Sequence, residues 1–207
     1  STFKIFEKKR LNMARRSDHS KEELKELSIL HAYELVEEKG EAGFKARDIA
    51  KRMGYTVGTI YYIFGNMENL RFHVYGAILD LFHEEIAKGI SNKRNKINYH
   101  IKKYVQFSQD YQNLWLFLYG LDDMTQNDIP DWYLDKIHRF FCMIVEALLP
   151  HIKQKRKAPK AAQTILTSIH GMCILSIRGN RVRDGEFNLE AMAKHMITTY
   201  LYGLNNS

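Results

Sequence analysis

The sequence has few of the features that would place it in a specialised class of protein. Its 207 residues include only two cysteines, Cys142 and Cys173, which excludes a scaffold held by several disulfides. Three prolines and no short repeated unit exclude a collagen-like or low-complexity chain. The longest apolar runs, residues 114–119 and 140–145, are far shorter than the roughly 20 residues that span a membrane.

Signals for export and for catalysis are equally scarce. The basic N-terminus is not followed by the apolar core of a signal peptide, which predicts a cytoplasmic protein with no membrane partner. None of the nine histidines lies in an HExxH motif or four residues from another histidine, and neither cysteine has a neighbour at zinc-ligand spacing. We therefore expect no enzyme, no catalytic residue, no metal and no cofactor.

The net charge of +7 is concentrated in two segments. Residues 1–16 carry six basic side chains and one acidic side chain, and residues 151–183 carry eight basic side chains and none that is acidic. Either segment could contact nucleic acid. For the second segment, solvation of exposed helix faces is the simpler interpretation.

Apolar residues recur at three- and four-residue intervals along most of the chain, which predicts an all-α fold of about nine helices. Ser20 with Glu23 three residues later is a capping-box pattern that predicts the start of the first helix. The expected helices cover residues 21–39, 46–53, 57–64, 67–88, 97–119 with a break near 110–113, 131–149, 159–178 and 189–204. No alternation typical of a β-strand is long enough to predict a sheet.

The most informative stretch is residues 45–70, KARDIAKRMGYTVGTIYYIFGNMENL. Two short helices separated by a glycine-containing turn are typical of a helix-turn-helix motif. Gly54 permits the sharp turn, and the Thr56 hydroxyl is expected to cap the second helix. Ile60 and Phe64 are expected to point inward, so that the opposite face of this helix can enter the major groove of duplex DNA.

These residues resemble the TetR family of bacterial transcriptional regulators. The family's pattern is a short IA…G helix, a turn, and a recognition helix ending in G-T-hydrophobic-Y-x-x-F, and the matching residues here are Ile49, Ala50, Gly54, Gly58, Thr59, Ile60, Tyr61 and Phe64. Further along, His170 and Gly171 are similar to the His-Gly of the WHG ligand-binding domain.

The resemblance implies a homodimer and divides the chain into three parts. A basic N-terminal extension would cover residues 1–20, a three-helix DNA-binding domain residues 21–66, and a helical effector-binding and dimerisation domain residues 67–207. Lys45 replaces the threonine that usually caps the second helix, and Met67 replaces the lysine that usually opens the fourth. A lysine cannot accept the amide hydrogen bonds of a cap, but it can contact phosphate.

Side-chain chemistry then assigns candidate DNA contacts. Arg15 and Arg16 precede the first helix and could follow a minor groove. The residues suited to holding phosphates are Lys45, Arg47, Tyr61 and Tyr62. The residues suited to contacts in the groove are Tyr55, Thr56, Val57 and Thr59, of which the threonine and valine methyl groups can meet a thymine methyl.

The second half of the chain is the expected place for an effector. Residues 72–141 are unusually aromatic, which favours a pocket for a small apolar or aromatic molecule. The predicted lining residues are Trp115, Tyr119, Met143 and His170. A ligand there would tilt the 67–88 helix and change the separation of two DNA-binding heads, which is expected at about 34–36 Å, one turn of DNA, or a multiple of it.

The function predicted is a ligand-responsive regulator, most simply a repressor, that is released from a palindromic operator and dimerises through its last two helices. Two alternatives stay open. One is a constitutive DNA-binding or architectural protein without an effector. The other is a protein-interaction module that uses the last two helices alone.

Overall fold

The structure, a computed structural model, describes residues 19–88, 96–119, 129–179 and 188–206. Within these ranges it contains helices and no strand, which confirms the all-α prediction. The nine helices are α1 (Lys21–Lys39), α2 (Ala46–Met53), α3 (Val57–Phe64), α4 (Met67–Ala87), α5 (Lys96–Asp110), α6 (Gln112–Tyr119), α7 (Asp131–Leu148), α8 (Ala158–Ile177) and α9 (Leu189–Asn206). The predicted break in residues 97–119 falls at Tyr111, between α5 and α6.

Local side chains fix where the first helices begin. The Ser20 hydroxyl accepts from the Glu23 amide (3.2 Å) and the Ser20 amide donates to the Glu23 carboxylate (2.7 Å), so the predicted capping box is present. At the start of α4, the Asn66 side chain accepts from the Asn69 amide at 2.7 Å. Each cap satisfies an amide that the first turn of a helix leaves without a backbone partner.

The described residues form two compact units. The first contains residues up to 84 together with 113–134, and the second contains residues 85–112 together with those from 135 onward. Helices α4 and α7 each begin in the first unit and end in the second, whereas α5 belongs to the second and α6 to the first. No helix among the residues described is long and apolar enough to cross a membrane.

An aromatic cluster forms the core of the first unit. The Phe117 ring of α6 lies 5.1 Å from both the Phe44 and the Tyr75 rings, measured between centroids. The Arg71 guanidinium lies over the Phe44 and Phe117 rings, 4.5 and 4.8 Å from their centroids, and donates two hydrogen bonds of 2.8 and 2.6 Å to the Glu41 carboxylate. One arginine of α4 therefore joins the turn after α1 to α6.

A second polar contact joins α6 to α1 within the same unit. The Asn113 side-chain amide donates to the backbone carbonyl of Glu37 at 2.8 Å. The carbonyls of the last turn of a helix have no partner within the helix, so this bond satisfies one of them. It also fixes the start of α6 against the end of α1.

His73 of α4 lies between aromatic rings of the first unit. Its imidazole stacks on the Trp132 ring at 4.9 Å between centroids and meets the Phe64 ring edge-on at 5.6 Å. Burial, with a smaller contribution from the charge of Lys25, lowers the pKa of His73 to about 4. The imidazole is therefore neutral in the folded protein at neutral pH.

The depressed pKa predicts a loss of stability in acid. The unfolded chain binds a proton at His73 below about pH 6.5, whereas the folded protein does so only near pH 4, so stability present above pH 6.5 falls as the pH falls toward 4. We expect the unfolding temperature to drop between pH 7 and pH 5, and to drop less in His73→Phe. Tryptophan fluorescence is a suitable measurement because Trp115 and Trp132 both lie in the first unit. An equal drop in the wild type and in His73→Phe would contradict the conclusion that protonation of His73 destabilises the folded protein.

The second unit packs α5 against α8 and α9. The Lys102 ammonium of α5 pairs with the Glu190 carboxylate of α9 at 3.0 Å. At the other end of α9, the Asn205 side chain accepts from the Lys153 amide (2.9 Å) and donates to the His151 carbonyl (2.8 Å). These bonds attach the C-terminal helix to the turn that precedes α8.

Candidate nucleic-acid interface

The turn between α2 and α3 has the backbone that a helix-turn-helix requires. Gly54 ends α2 in the left-handed region (φ 75°), and its amide donates to the carbonyls of Ala50 and Lys51. The amide of Tyr55 also bonds the Ala50 carbonyl, at 3.0 Å. A side chain at position 54 would be strained in this conformation, which is why glycine suits the turn.

Helix α3 is anchored by its inward face. Ile60 is fully buried and Phe64 nearly so, which confirms the predicted inward pair. On the opposite face Tyr62 is 70% exposed and Tyr61 46% exposed. Val57 and Thr59 are partly exposed, so the first turns of α3 leave small side chains at the surface.

The prediction that the Thr56 hydroxyl caps α3 is wrong. Thr56 does occupy the N-cap position in an extended conformation, but its side chain makes no cap hydrogen bond. Its hydroxyl lies 3.3 Å from the hydroxyl of Thr59 one turn later. A second hydroxyl at this spacing competes with the backbone amide for the cap oxygen.

Tyr55, a predicted groove contact, has a partner at the start of the described chain. Its hydroxyl lies 2.6 Å from Nδ1 of His19. This bond connects the residue just before the α1 cap to the α2–α3 turn. His19 was not a sequence candidate, because 36 residues separate it from Tyr55 and no local pattern relates them.

Another unpredicted residue, Lys21, lies beside the exposed face of α3. Its ammonium is 5.0 Å from the centroid of the Tyr62 ring. A cation over the face of an exposed tyrosine adds positive charge next to a predicted phosphate contact. Only the packing of α1 against α3 brings the two side chains together, so spacing in the sequence gives no indication of it.

Four cations of the first unit fall into two groups. Arg52 and Arg71 are neutralised by bidentate carboxylates, with both Arg52–Glu38 hydrogen bonds at 2.7 Å. Lys45 and Arg47 are exposed and form no ion pair with any residue that the structure describes. The backbone of Lys45 begins α2 without a side-chain cap, as its chemistry predicts. Arg15 and Arg16 lie outside the described residues.

The four predicted effector contacts are divided between the two units. In the first unit Trp115 is buried, and its ring lies 4.2 Å from that of Tyr119, which is exposed. In the second unit Met143 and His170 are half-buried, and Nδ1 of His170 lies 3.1 Å from the Tyr104 hydroxyl. The lining of a pocket by these four residues stays a prediction.

Metal ligands are sparse in the ranges that the structure covers. No group of three or more His, Cys, Asp and Glu side chains there could hold a metal ion. One pair of such side chains was not predicted from spacing: the Cys142 sulfur lies 3.6 Å from Nε2 of His138, one turn earlier on α7. Two surface ligands on one helix do not make a metal centre.

The comparison with family models identifies the helix-turn-helix region. Residues 29–74 match the bacterial regulatory proteins of the tetR family. Members of this family are transcriptional regulators and not enzymes. No curated protein matches the chain.

The comparison with solved structures covers most of the chain at low sequence identity. A transcriptional regulator from Rhodococcus sp. Rha1 is 14% identical (TM-score 0.68, covering 86% of this chain and 96% of that one), and the TetR family transcriptional regulator PfmR from Thermus thermophilus is 17% identical (TM-score 0.57, 86% and 98%). The multidrug binding protein EbrR, complexed with imidazole, is 16% identical (TM-score 0.59, 84% and 87%). At these identities the likeness shows a shared fold.

Proposed function

We propose that this chain, whose residues 29–74 match the DNA-binding region of the tetR family, is a regulator that binds a palindromic operator as a dimer and releases it when a small molecule binds. The observation that carries the proposal is the surface of α3. Buried Ile60 and Phe64 fix the helix, and its opposite face is exposed, with the Lys21 ammonium, which no described carboxylate neutralises, beside it.

Side-chain chemistry decides which candidate residues contact phosphates and which contact base edges. Lys45 and Arg47 at the start of α2, with Lys21 at the start of α1, are suited to hold phosphates. Val57 and Thr59 at the start of α3 present small apolar groups to base edges. Phosphate contacts supply affinity that depends on salt, and groove contacts supply preference for a sequence.

Dimerisation through α8 and α9 is supported by apolar side chains that those helices expose. Leu175 of α8 and Met192 and Tyr202 of α9 are large apolar residues with 40% or more of their surface exposed. Exposed apolar residues on adjacent helices are typical of an interface between copies of one chain. A two-fold dimer presents two α3 helices to two half-sites, which is why the expected operator is a palindrome.

Release by a small molecule needs a connection between the second unit and the recognition helix. Helix α4 supplies a covalent one, because it starts three residues after α3 and ends in the second unit. Arg71 of α4, through Glu41, and Asn113 of α6, through the Glu37 carbonyl, hold the end of α1 and the turn that follows it. A ligand that moves α4 or α6 would therefore move the DNA-binding helices α1–α3. By linkage, the operator must weaken ligand binding by the same factor.

The test is a selection of duplexes from a random library with the purified full chain. We expect enrichment of an inverted repeat whose half-site centres lie one helical turn, or a multiple of it, apart. Recovery of duplexes with no sequence in common would contradict the proposal and favour the architectural alternative. The same selection with Thr59→Ala should relax the preference at one position in each half-site and keep the spacing.

A further inference from the structure

Inside the second unit, the side chain of His100 is buried without a hydrogen-bond partner among the described residues. It is 2% exposed, and both Nδ1 and Nε2 are shielded from solvent and unpaired. A neutral imidazole carries one donor and one acceptor, so both kinds of group are left unused here. Buried polar atoms in folded proteins almost always have partners, and an exception indicates a specific role.

The surroundings of His100 combine polar atoms with aromatic faces. Tyr104 lies one turn further along α5, on the same side of the helix. Its hydroxyl is 3.1 Å from Nδ1 of His170 on α8, and its ring stacks on Phe140 of α7 at 6.1 Å between centroids. Three helices of one unit thus bring a hydroxyl, the His170 imidazole and an apolar ring together one helical turn from His100.

The cluster is uncharged at neutral pH. Burial lowers the pKa of His170, and burial together with the charge of Lys96 lowers the pKa of His100 to about 4. Within the ranges that the structure describes, no lysine or arginine of this unit is buried, and Lys102 of α5 is already paired with Glu190. A carboxylate placed beside His100 would lose its hydration without gaining a cation.

We propose that His100, beside the Tyr104–His170 pair, binds the hydroxyl group of an otherwise apolar, aromatic effector. A hydroxyl can donate to the bare ring nitrogen or accept from the protonated one, so it can pair with whichever nitrogen of His100 faces it, and the Phe140 and Tyr104 rings provide apolar surface for a ring. The regulatory meaning of this site rests on the proposed function, but the binding itself does not.

The test compares three small aromatic probes, phenol, its isostere toluene and the anion benzoate, by calorimetric titration of the full chain without DNA at pH 7.5. We expect phenol to bind about tenfold more tightly than toluene or benzoate, the difference that one good buried hydrogen bond makes. In protein labelled with ¹⁵N in its histidines, phenol should shift the ring-nitrogen resonances of His100. In this second measurement a variant is needed only to assign the His100 resonance, and the shift itself is observed in the wild-type protein.

Two variants distinguish the contribution of the His100 imidazole from that of the side chains around it. His100→Leu should bind phenol and toluene equally within twofold, and its unfolding temperature should be no lower than that of the wild type, because the unpaired buried imidazole is gone. Ser108→Ala is the matched control, since Ser108 lies on the same helix, is buried, and already donates to the Val105 carbonyl at 2.7 Å. It should keep the preference for phenol.

The proposed site would be contradicted if benzoate bound more tightly than phenol, or if phenol had no advantage over toluene. Binding of none of the three probes would also contradict it, as would a preference for phenol that survives in His100→Leu. The site and the proposed function fail separately. A chain that selects no palindrome yet prefers phenol through His100 would contradict the function alone, and a palindrome-binding chain without that preference would contradict the site alone.

Discussion

Replacing Lys45 and Arg47 together by alanine is expected to weaken operator binding by at least about a hundredfold at 0.1 M salt and to leave the fold intact. Both side chains are exposed and have no ion pair among the described residues, so their loss breaks no ion pair there. In a dimer the double variant deletes four phosphate contacts, each worth about 0.9 in the slope of log affinity against log salt. That slope should therefore fall in magnitude by about 3 to 4, measured by fluorescence anisotropy over a salt series.

The matched control removes the same charge elsewhere. Arg156 and Lys160 belong to the basic segment over residues 151–183 and are exposed in the second unit. Their double alanine variant should change operator affinity by less than about threefold if the helix-turn-helix carries the phosphate contacts. An equal loss in both double variants would mean that net charge, and not the position of Lys45 and Arg47, supports binding.

Gly43→Ala is expected to destabilise the first unit by about 3 kcal/mol, at the upper end of what overpacking costs. Gly43 is buried in the 3₁₀ turn Gly40–Gly43 between α1 and α2. A Cβ at this position would lie 2.8 Å from the carbonyl carbon of Leu35 and closer still to its oxygen. Both are backbone atoms of α1, so relief requires the turn to move away from the helix, and α2 and Phe44 would move with it.

Two other glycines test whether the cost comes from this clash. Gly171 of α8 and Gly203 of α9 have no atom within 4 Å of an added Cβ outside their own helix backbone. Alanine there should stabilise the protein by up to about 1 kcal/mol, because alanine favours a helix over glycine. Urea unfolding followed by tryptophan fluorescence and by circular dichroism measures all three variants. A Gly43→Ala protein within about 0.5 kcal/mol of the wild type would rule out the close approach to Leu35.

Much of the fold could be predicted from the sequence because its helices are defined locally. The apolar periodicity of residues 21–39 and the Ser20–Glu23 cap place α1 at its observed bounds, and glycines mark the ends of α2 and α3. Each of these effects acts within one or two turns of helix. The inward direction of Ile60 and Phe64 follows from the same spacing.

The polar contacts that complete the structure could not be predicted in this way. Arg71 and Glu41 are 30 residues apart, and Tyr104 and His170 are 66 apart, so only the packing of helices decides that they meet. The failed Thr56 cap has a different origin. Its hydroxyl had two local partners within reach, and the preference for a cap does not say which one is used.

The missing partner of His100 is the clearest case of information that the structure adds. In the sequence, His100 is one of nine histidines and follows the apolar pattern of α5 like a core residue. Its burial is consistent with that pattern. That neither ring nitrogen finds a donor or acceptor among the described residues becomes visible only when α5, α7 and α8 are brought together.

The claim that α3 reads a DNA sequence is tested most directly by one ratio of affinities. The wild-type chain is titrated at about 0.15 M salt against the palindrome recovered from the random library and against a shuffled duplex of equal length and composition. If α3 reads the sequence, the palindrome binds at least about a thousandfold more tightly, with two protomers per duplex. Affinities that agree within a few fold and fall together with salt would contradict it, because charge alone would then explain the binding.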